Sequence, residues 1–132
     1  MGLFDLFGKK EVPKTFFTLS CEFHPYRLPA GSNDFVDLEI QLTNNFDKPV
    51  LTSIVIESPK GLGFERSAIQ NQREIRLGTL AAFEKKFVKA QVWNTARCPP
   101  GNYEVKITAI AHFSDYAHVL NEARKIMTLR VG

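Results

Sequence analysis

A chain of 132 residues, 44% hydrophobic and 23% charged, is long enough to bury a core of its own in one domain without disulfide staples. Its formal net charge of +3, from 17 basic and 14 acidic residues, is too small to mark a dedicated nucleic-acid binder. No run approaches the roughly 18 apolar residues of a membrane-spanning helix.

The chain opens MGLFDLFGKK, with Leu3, Phe4, Leu6 and Phe7 ahead of Lys9 and Lys10. These residues stand outside any strand pattern, so residues 1–12 are set apart from a domain over 13–132. Wound as a helical turn, the segment would be too short to be stable alone in water. It would present a broad apolar face, end at Gly8, and place its lysines at the favourable end of the helix dipole. Lysines beside Phe and Leu also suit an anionic lipid surface, though one short segment gives only weak adsorption. Three uses are open: packing on its own domain, docking to a partner or a second copy, or resting on a membrane. The myristoylation pattern fails because position 6 is Leu. Asp5 interrupts the apolar run and the positive charges follow it, so the segment is no secretory signal. A cytoplasmic chain with reduced thiols at Cys21 and Cys98 is therefore expected, two cysteines being a poor disulfide framework.

From residue 15 onward the apolar period is two. Phe17, Leu19, Cys21 and Phe23 alternate with polar residues, which predicts a strand with one buried face. HPYRLPAGSND holds two prolines and a glycine and must turn or bulge, with His24 a turn residue. DFVDLEIQLT is the cleanest strand, with Val36, Leu38, Ile40 and Leu42 inward. NNFDKP turns the chain into PVLTSIVIES, rich in β-branched residues. SPKGLGF and AIQNQR read as loops around EIRLGTL, where Gly78 allows a bend or bulge. KFVKAQVW follows, and then YEVKITAIAHF, with Tyr103, Val105, Ile107, Ala109, Ala111 and Phe113 on the inward side and His112 on the polar face. Tyr103 should turn its ring inward and leave its hydroxyl at the sandwich edge to find a partner. In SDYAHVLNEARK the spacing of Tyr116, Val119, Leu120 and Ala123 predicts a short helical turn near residues 115–123, the alternative being a hairpin tip. KIMTLRV closes the chain as a last strand.

About seven strands without a helix long enough for a crossover predict two packed antiparallel sheets, an all-β immunoglobulin-like sandwich. Residues 34–57 carry five acids against Lys48, and residues 60–97 carry eight bases against three acids. Such blocks are expected to be neighbours whose charges face each other across strands.

The succession LPAGSNDFVDLEIQLTNN, SIVIESPKGLGF, LGTLAAFEKKFVKAQV and PPGNYEVKITAIA resembles the CARDB-like and related immunoglobulin-like modules of archaea and bacteria. The resemblance spans roughly residues 28–111 and implies the sandwich fold, not a function.

The chemistry search is short. There is no nucleophile-elbow motif, phosphate-binding glycine loop or Cys-x-x-Cys, and GLGF lacks the glycines and helix of a dinucleotide site. His112, Asp115 and His118 could meet on one metal if the chain bends between them, but a structural zinc site wants a fourth ligand. No metal or cofactor is therefore expected. Arg76, Lys85, Lys86 and Lys89 beside Phe87 and Trp93 form a basic and aromatic patch on paper, the minimum for a weak nucleic-acid binder. The sequence thus points to a non-catalytic binding or scaffold module acting through protein contact, with homodimerisation by edge pairing or exchanged N-termini a natural mode. The alternatives are a scaffold tethered at the inner membrane surface through Leu3, Phe4, Leu6 and Phe7, and nucleic-acid binding through the Lys85–Lys89 strand. No small-molecule substrate suggests itself.

Overall fold

Alternation decides which face of each strand meets its neighbours. The computed structural model describes residues 16–132, so the N-terminal Leu3, Phe4, Leu6 and Phe7 lie outside the described residues. Nine strands follow one another: β1 (Phe17–His24), β2 (Arg27–Leu28), β3 (Phe35–Asn44), β4 (Val50–Glu57), β5 (Leu62–Gly63), β6 (Gln72–Leu80), β7 (Lys85–Asn94), β8 (Gly101–His112) and β9 (Val119–Val131). Seven are long and match the expected set. The two extra strands have two residues each and lie in segments whose prolines and glycines predict turns and loops.

One sheet has the order β1-β3-β7-β5 and the other β2-β9-β8-β4-β6. Every pairing is antiparallel except that of β2 with β9. The inward residues of β3 (Val36, Leu38, Ile40 and Leu42) are sealed from solvent, as are Ile54, Ile56, Val105, Ile107, Ala109, Ala111 and Leu129 of the facing sheet. Each large aliphatic side chain buried this way contributes about 1.5–3 kcal/mol. The acidic β3 lies beside the basic β7 with Glu39 directly opposite Lys89. Cys21 and Cys98 are buried free thiols. No helix among the described residues is long and apolar enough to cross a membrane.

Two buried asparagines tie the sheets together, one at each end. Asn44, fully buried at the end of β3, donates from Nδ2 to the carbonyls of Lys48 (3.0 Å), Leu80 (3.4 Å) and Ala81 (3.0 Å). Its Oδ1 accepts the Phe46 N–H at 2.9 Å. Asn94, fully buried at the end of β7, donates to Pro29 O (2.6 Å) and accepts the Asp34 N–H (3.0 Å). Because β3 and β7 run antiparallel, these clamps sit at opposite ends of the sandwich. Each bridges the first sheet to segments leading into or out of the second.

The helical turn expected near residues 115–123 is instead a reversal followed by strand. The Phe113 N–H donates to His118 O (2.8 Å), His118 N–H to Asp115 O (3.2 Å), and Ala117 N–H to the Asp115 carboxylate (3.0 Å). From Val119 the chain pairs with β8, Asn121 opposite Ala111 and Ala123 opposite Ala109. A single isolated helical turn makes few hydrogen bonds and cannot compete with a ladder already templated by β8. Of the apolar residues of the helical spacing, Val119 and Leu120 stay exposed and Ala123 is buried.

Gly78 makes the anticipated bulge: Thr52 faces Gly78 and Ser53 faces Arg76, leaving Leu77 as the extra residue, and Gly78 takes φ +74°. Its N–H donates to the Tyr116 hydroxyl at 3.0 Å, so the β8–β9 reversal folds back over the outer face of its own sheet. Tyr103 also behaves as expected, half-buried against the core with its hydroxyl donating to Pro99 O at 2.6 Å.

Replacing Asn44 with Ala removes the partner of three carbonyls and one N–H. Urea unfolding of Asn44→Ala is expected to show a loss of about 2–3 kcal/mol. At Gly63 a Cβ would lie 2.6 Å from the Ala68 Cα and carbonyl carbon, so Gly63→Ala is expected to cost about 1–3 kcal/mol by the same measurement.

Candidate interaction surfaces

Phe16 and Phe46 stack with ring centroids 4.7 Å apart and planes 5° from parallel. Phe16 is held from both sides: its carbonyl accepts the Asn45 N–H (2.8 Å), and its N–H donates to Asn121 Oδ1 of β9 (3.3 Å). Phe46 is held by Asn44, so the clamp that joins the sheets also places an aromatic wall. With Pro49, Leu51, Phe113 and Leu120 these rings line a cleft of about 400 Å³ at the Asn44 end of the sandwich. Phe113 is 65% and Leu120 52% exposed. Phe113 was expected on the inward side of its strand. The register shift between Ala111 and His112 and the reversal that follows put it outside instead.

His112 also lines this cleft, and the sequence placed it on a wet face. It is buried because the Tyr116 ring closes over it edge-on, centroids 5.0 Å apart, with the Arg76 guanidinium 4.6 Å above the same tyrosine. His112 Nε2 shares a 2.7 Å hydrogen bond with Ser53 Oγ, and its Nδ1 has no partner among the described residues. The serine–imidazole contact has the spacing of a nucleophile and base. Yet Ser53 is fully buried and no carboxylate orients the ring, so the pair lacks both substrate access and the third member of a triad.

The metal candidates therefore separate. Asp115 and His118 meet at 2.6 Å in the exposed reversal, and hydrogen bonding to His118 holds the Asp115 carboxyl below its usual range. His112 stays behind on Ser53, and the three do not gather their ligand atoms.

The four predicted bases separate as well. Lys85 and Lys89 lie on the outer face of the first sheet with Phe87, which is 69% exposed. Lys86 falls in the opposite alternation, across from Leu42. Arg76 belongs to β6 in the other sheet, beside Glu74 at 3.4 Å. On the outer face of the first sheet Trp93 stacks on Phe35 (4.6 Å) and donates to Gln91 (3.0 Å). Glu22, Asp37 and Glu39 share that face by register with the two lysines. A mixed face of this kind does not present the positive stripe that a nucleic-acid backbone requires.

One cluster was missed by sequence reasoning. His24 is the last residue of β1, not a turn residue, and its Nε2 lies 2.9 Å from Glu22 Oε1 and 3.4 Å from Glu39 Oε1. The spacing of Glu22 and His24 by two puts them on one face of a strand. Only the register of β1 against β3, which sequence alone does not supply, brings Glu39 to them.

No family model matches the chain, and no curated protein matches it in sequence. Among solved structures it is similar to native alpha-2-macroglobulin of Escherichia coli, from domain MG7 to the C-terminus, with TM-score 0.62, 16% identity and 91% of this chain covered. The chain spans 17% of that protein's length. It is similar over 92% of its length to the CARDB domain of a Pyrococcus furiosus protein in complex with di-metal ions, covering 97% of that domain at TM-score 0.56 and 12% identity. The fold is immunoglobulin-like and CARDB-like. A chain of the human seminal-plasma complex between zinc 2-glycoprotein and prolactin inducible protein aligns with this CARDB-like sandwich over 93% of its length and 99% of that chain, at TM-score 0.61 and 11% identity. Identities this low carry the architecture only.

Cys21 faces the interior of the sandwich, and burial pushes its thiol up to about 11 against a partly opposing pull from Lys125. Because the folded value lies above the unfolded one, this contribution to stability is full below about pH 9 and is lost as pH climbs through about 11. The thiolate is the reactive form, so iodoacetamide at pH 8 is expected to leave Cys21 unlabelled in native protein and to label it in urea, as read by mass spectrometry.

Proposed function

We propose that the chain is a non-catalytic binding module that works through protein–protein contact, and that its occupant at the Phe16–Phe46 cleft is a second copy of itself. The observation that carries the reading is the cleft: an exposed apolar rim of Phe113 and Leu120 beside the stacked rings of Phe16 and Phe46. An apolar rim gains from being covered. Fifteen residues precede Phe16, enough to span up to about 50 Å when extended. The apolar segment with Leu3, Phe4, Leu6 and Phe7 is thus tethered to a wall of the cleft and long enough to reach a neighbour's. A reciprocal exchange of that segment closes a two-fold dimer with no unsatisfied end.

Light scattering after size exclusion tests this. The full chain is expected to be dimeric, and Phe113→Ser combined with Leu120→Ser is expected to shift it to monomer. Both side chains are exposed, so the variant keeps its circular dichroism spectrum. A full chain that is monomeric up to its solubility limit contradicts the proposal. If that monomer sediments with anionic vesicles, the apolar segment acts on lipid instead.

A further inference from the structure

We propose that Glu22, His24 and Glu39 form a divalent-metal site of the zinc class on the outer face of the first sheet. The ligand atoms, one imidazole nitrogen and two carboxylate oxygens, lie within 4.8 Å of one another. In a tetrahedron around zinc, with metal–ligand bonds of about 2.0–2.2 Å, adjacent ligand atoms are about 3.3–3.5 Å apart. Of the His24 Nε2 contacts, the one at 3.4 Å matches that edge and the one at 2.9 Å is shorter, so an ion needs the Glu22 side chain to draw back by a small rotamer adjustment to enter.

Register supplies a further argument. Glu22 sits directly opposite Glu39 across the β1–β3 ladder, an arrangement of like charges that destabilises a strand pair unless a cation lies between them. Asp37 sits directly opposite His24 on the same face but outside the group of atoms that lie within 4.8 Å of one another, so water would complete the tetrahedron. Two carboxylates thus flank one imidazole, and Lys89, opposite Glu39, is the cation that the adjoining strand offers. Mixed imidazole and carboxylate donors favour zinc over calcium, which prefers six to eight oxygens. All three ligands are exposed side chains, so the fold does not depend on the ion. Bound metal would pin the edge strand β1 to β3 and raise stability with its concentration.

Calorimetric titration of the full chain with zinc chloride decides the matter. One saturable site is expected, weakened at least about tenfold by either His24→Ala or Glu39→Gln and unchanged by His118→Ala, which removes the other histidine–carboxylate contact. Zinc should also raise the unfolding temperature of the parent chain and not that of His24→Ala. The proposal is overturned if zinc shows no saturable binding, if His24→Ala binds as the parent does, or if calcium binds as tightly as zinc.

Discussion

The molecule depends on how the two ends of a sandwich are closed. Strand ladders satisfy the backbone within each sheet, but where chains cross from one sheet to the other the carbonyls and N–H groups need partners of another kind. Asn44 and Asn94 provide them. An asparagine amide donates two hydrogen bonds and accepts more through its oxygen, so one buried side chain can collect groups from several segments at once. Asn44 gathers Lys48, Leu80, Ala81 and Phe46, and thereby fixes the turn after β3 to the end of β6. Neither an apolar residue nor a carboxylate could make the same set of bonds in a buried position.

That closure also creates the surface at its end. Phe46 stands against Phe16 because Asn44 holds its backbone. The β8–β9 reversal, anchored by Tyr116 on the N–H of the Gly78 bulge, folds over His112 and turns Phe113 out. A polar clamp, a bulge and a tyrosine together convert the sandwich end into an apolar cleft with one polar atom left unpartnered among the described residues. The opposite half carries a different chemistry, where β1 and β3 bring two glutamates to one histidine.

Much of the fold was legible because a period of two is a direct record of a half-buried strand. β3 needs no more than its Val36, Leu38, Ile40, Leu42 alternation, and Gly78 announces its bulge through its freedom at positive φ. The reversal was less legible: the spacing of Tyr116, Val119, Leu120 and Ala123 fits a helix, and only pairing with β8 decides for strand. His112 was misplaced for a related reason, since its strand face is wet in isolation and is covered only by a tyrosine four residues on. The bases Arg76, Lys85, Lys86 and Lys89 are close in sequence but divided between two sheets and two alternations. Register is the information a single sequence lacks, and the Glu22–His24–Glu39 cluster exists only through register. Leu3, Phe4, Leu6 and Phe7 stand out in the sequence and lie outside the described residues.

The most direct measurement of the central claim, that the cleft is the working surface, is a concentration series of amide correlation spectra on the full 15.0 kDa chain. The account predicts shifts on dilution at Phe16, Phe46, Leu51, Phe113, Leu120 and His112, together with the docking segment that holds Leu3, Phe4, Leu6 and Phe7. Shifts centred instead on Phe87, Lys89 and Trp93, or unchanging spectra from a chain that light scattering shows to be monomeric throughout, would contradict it.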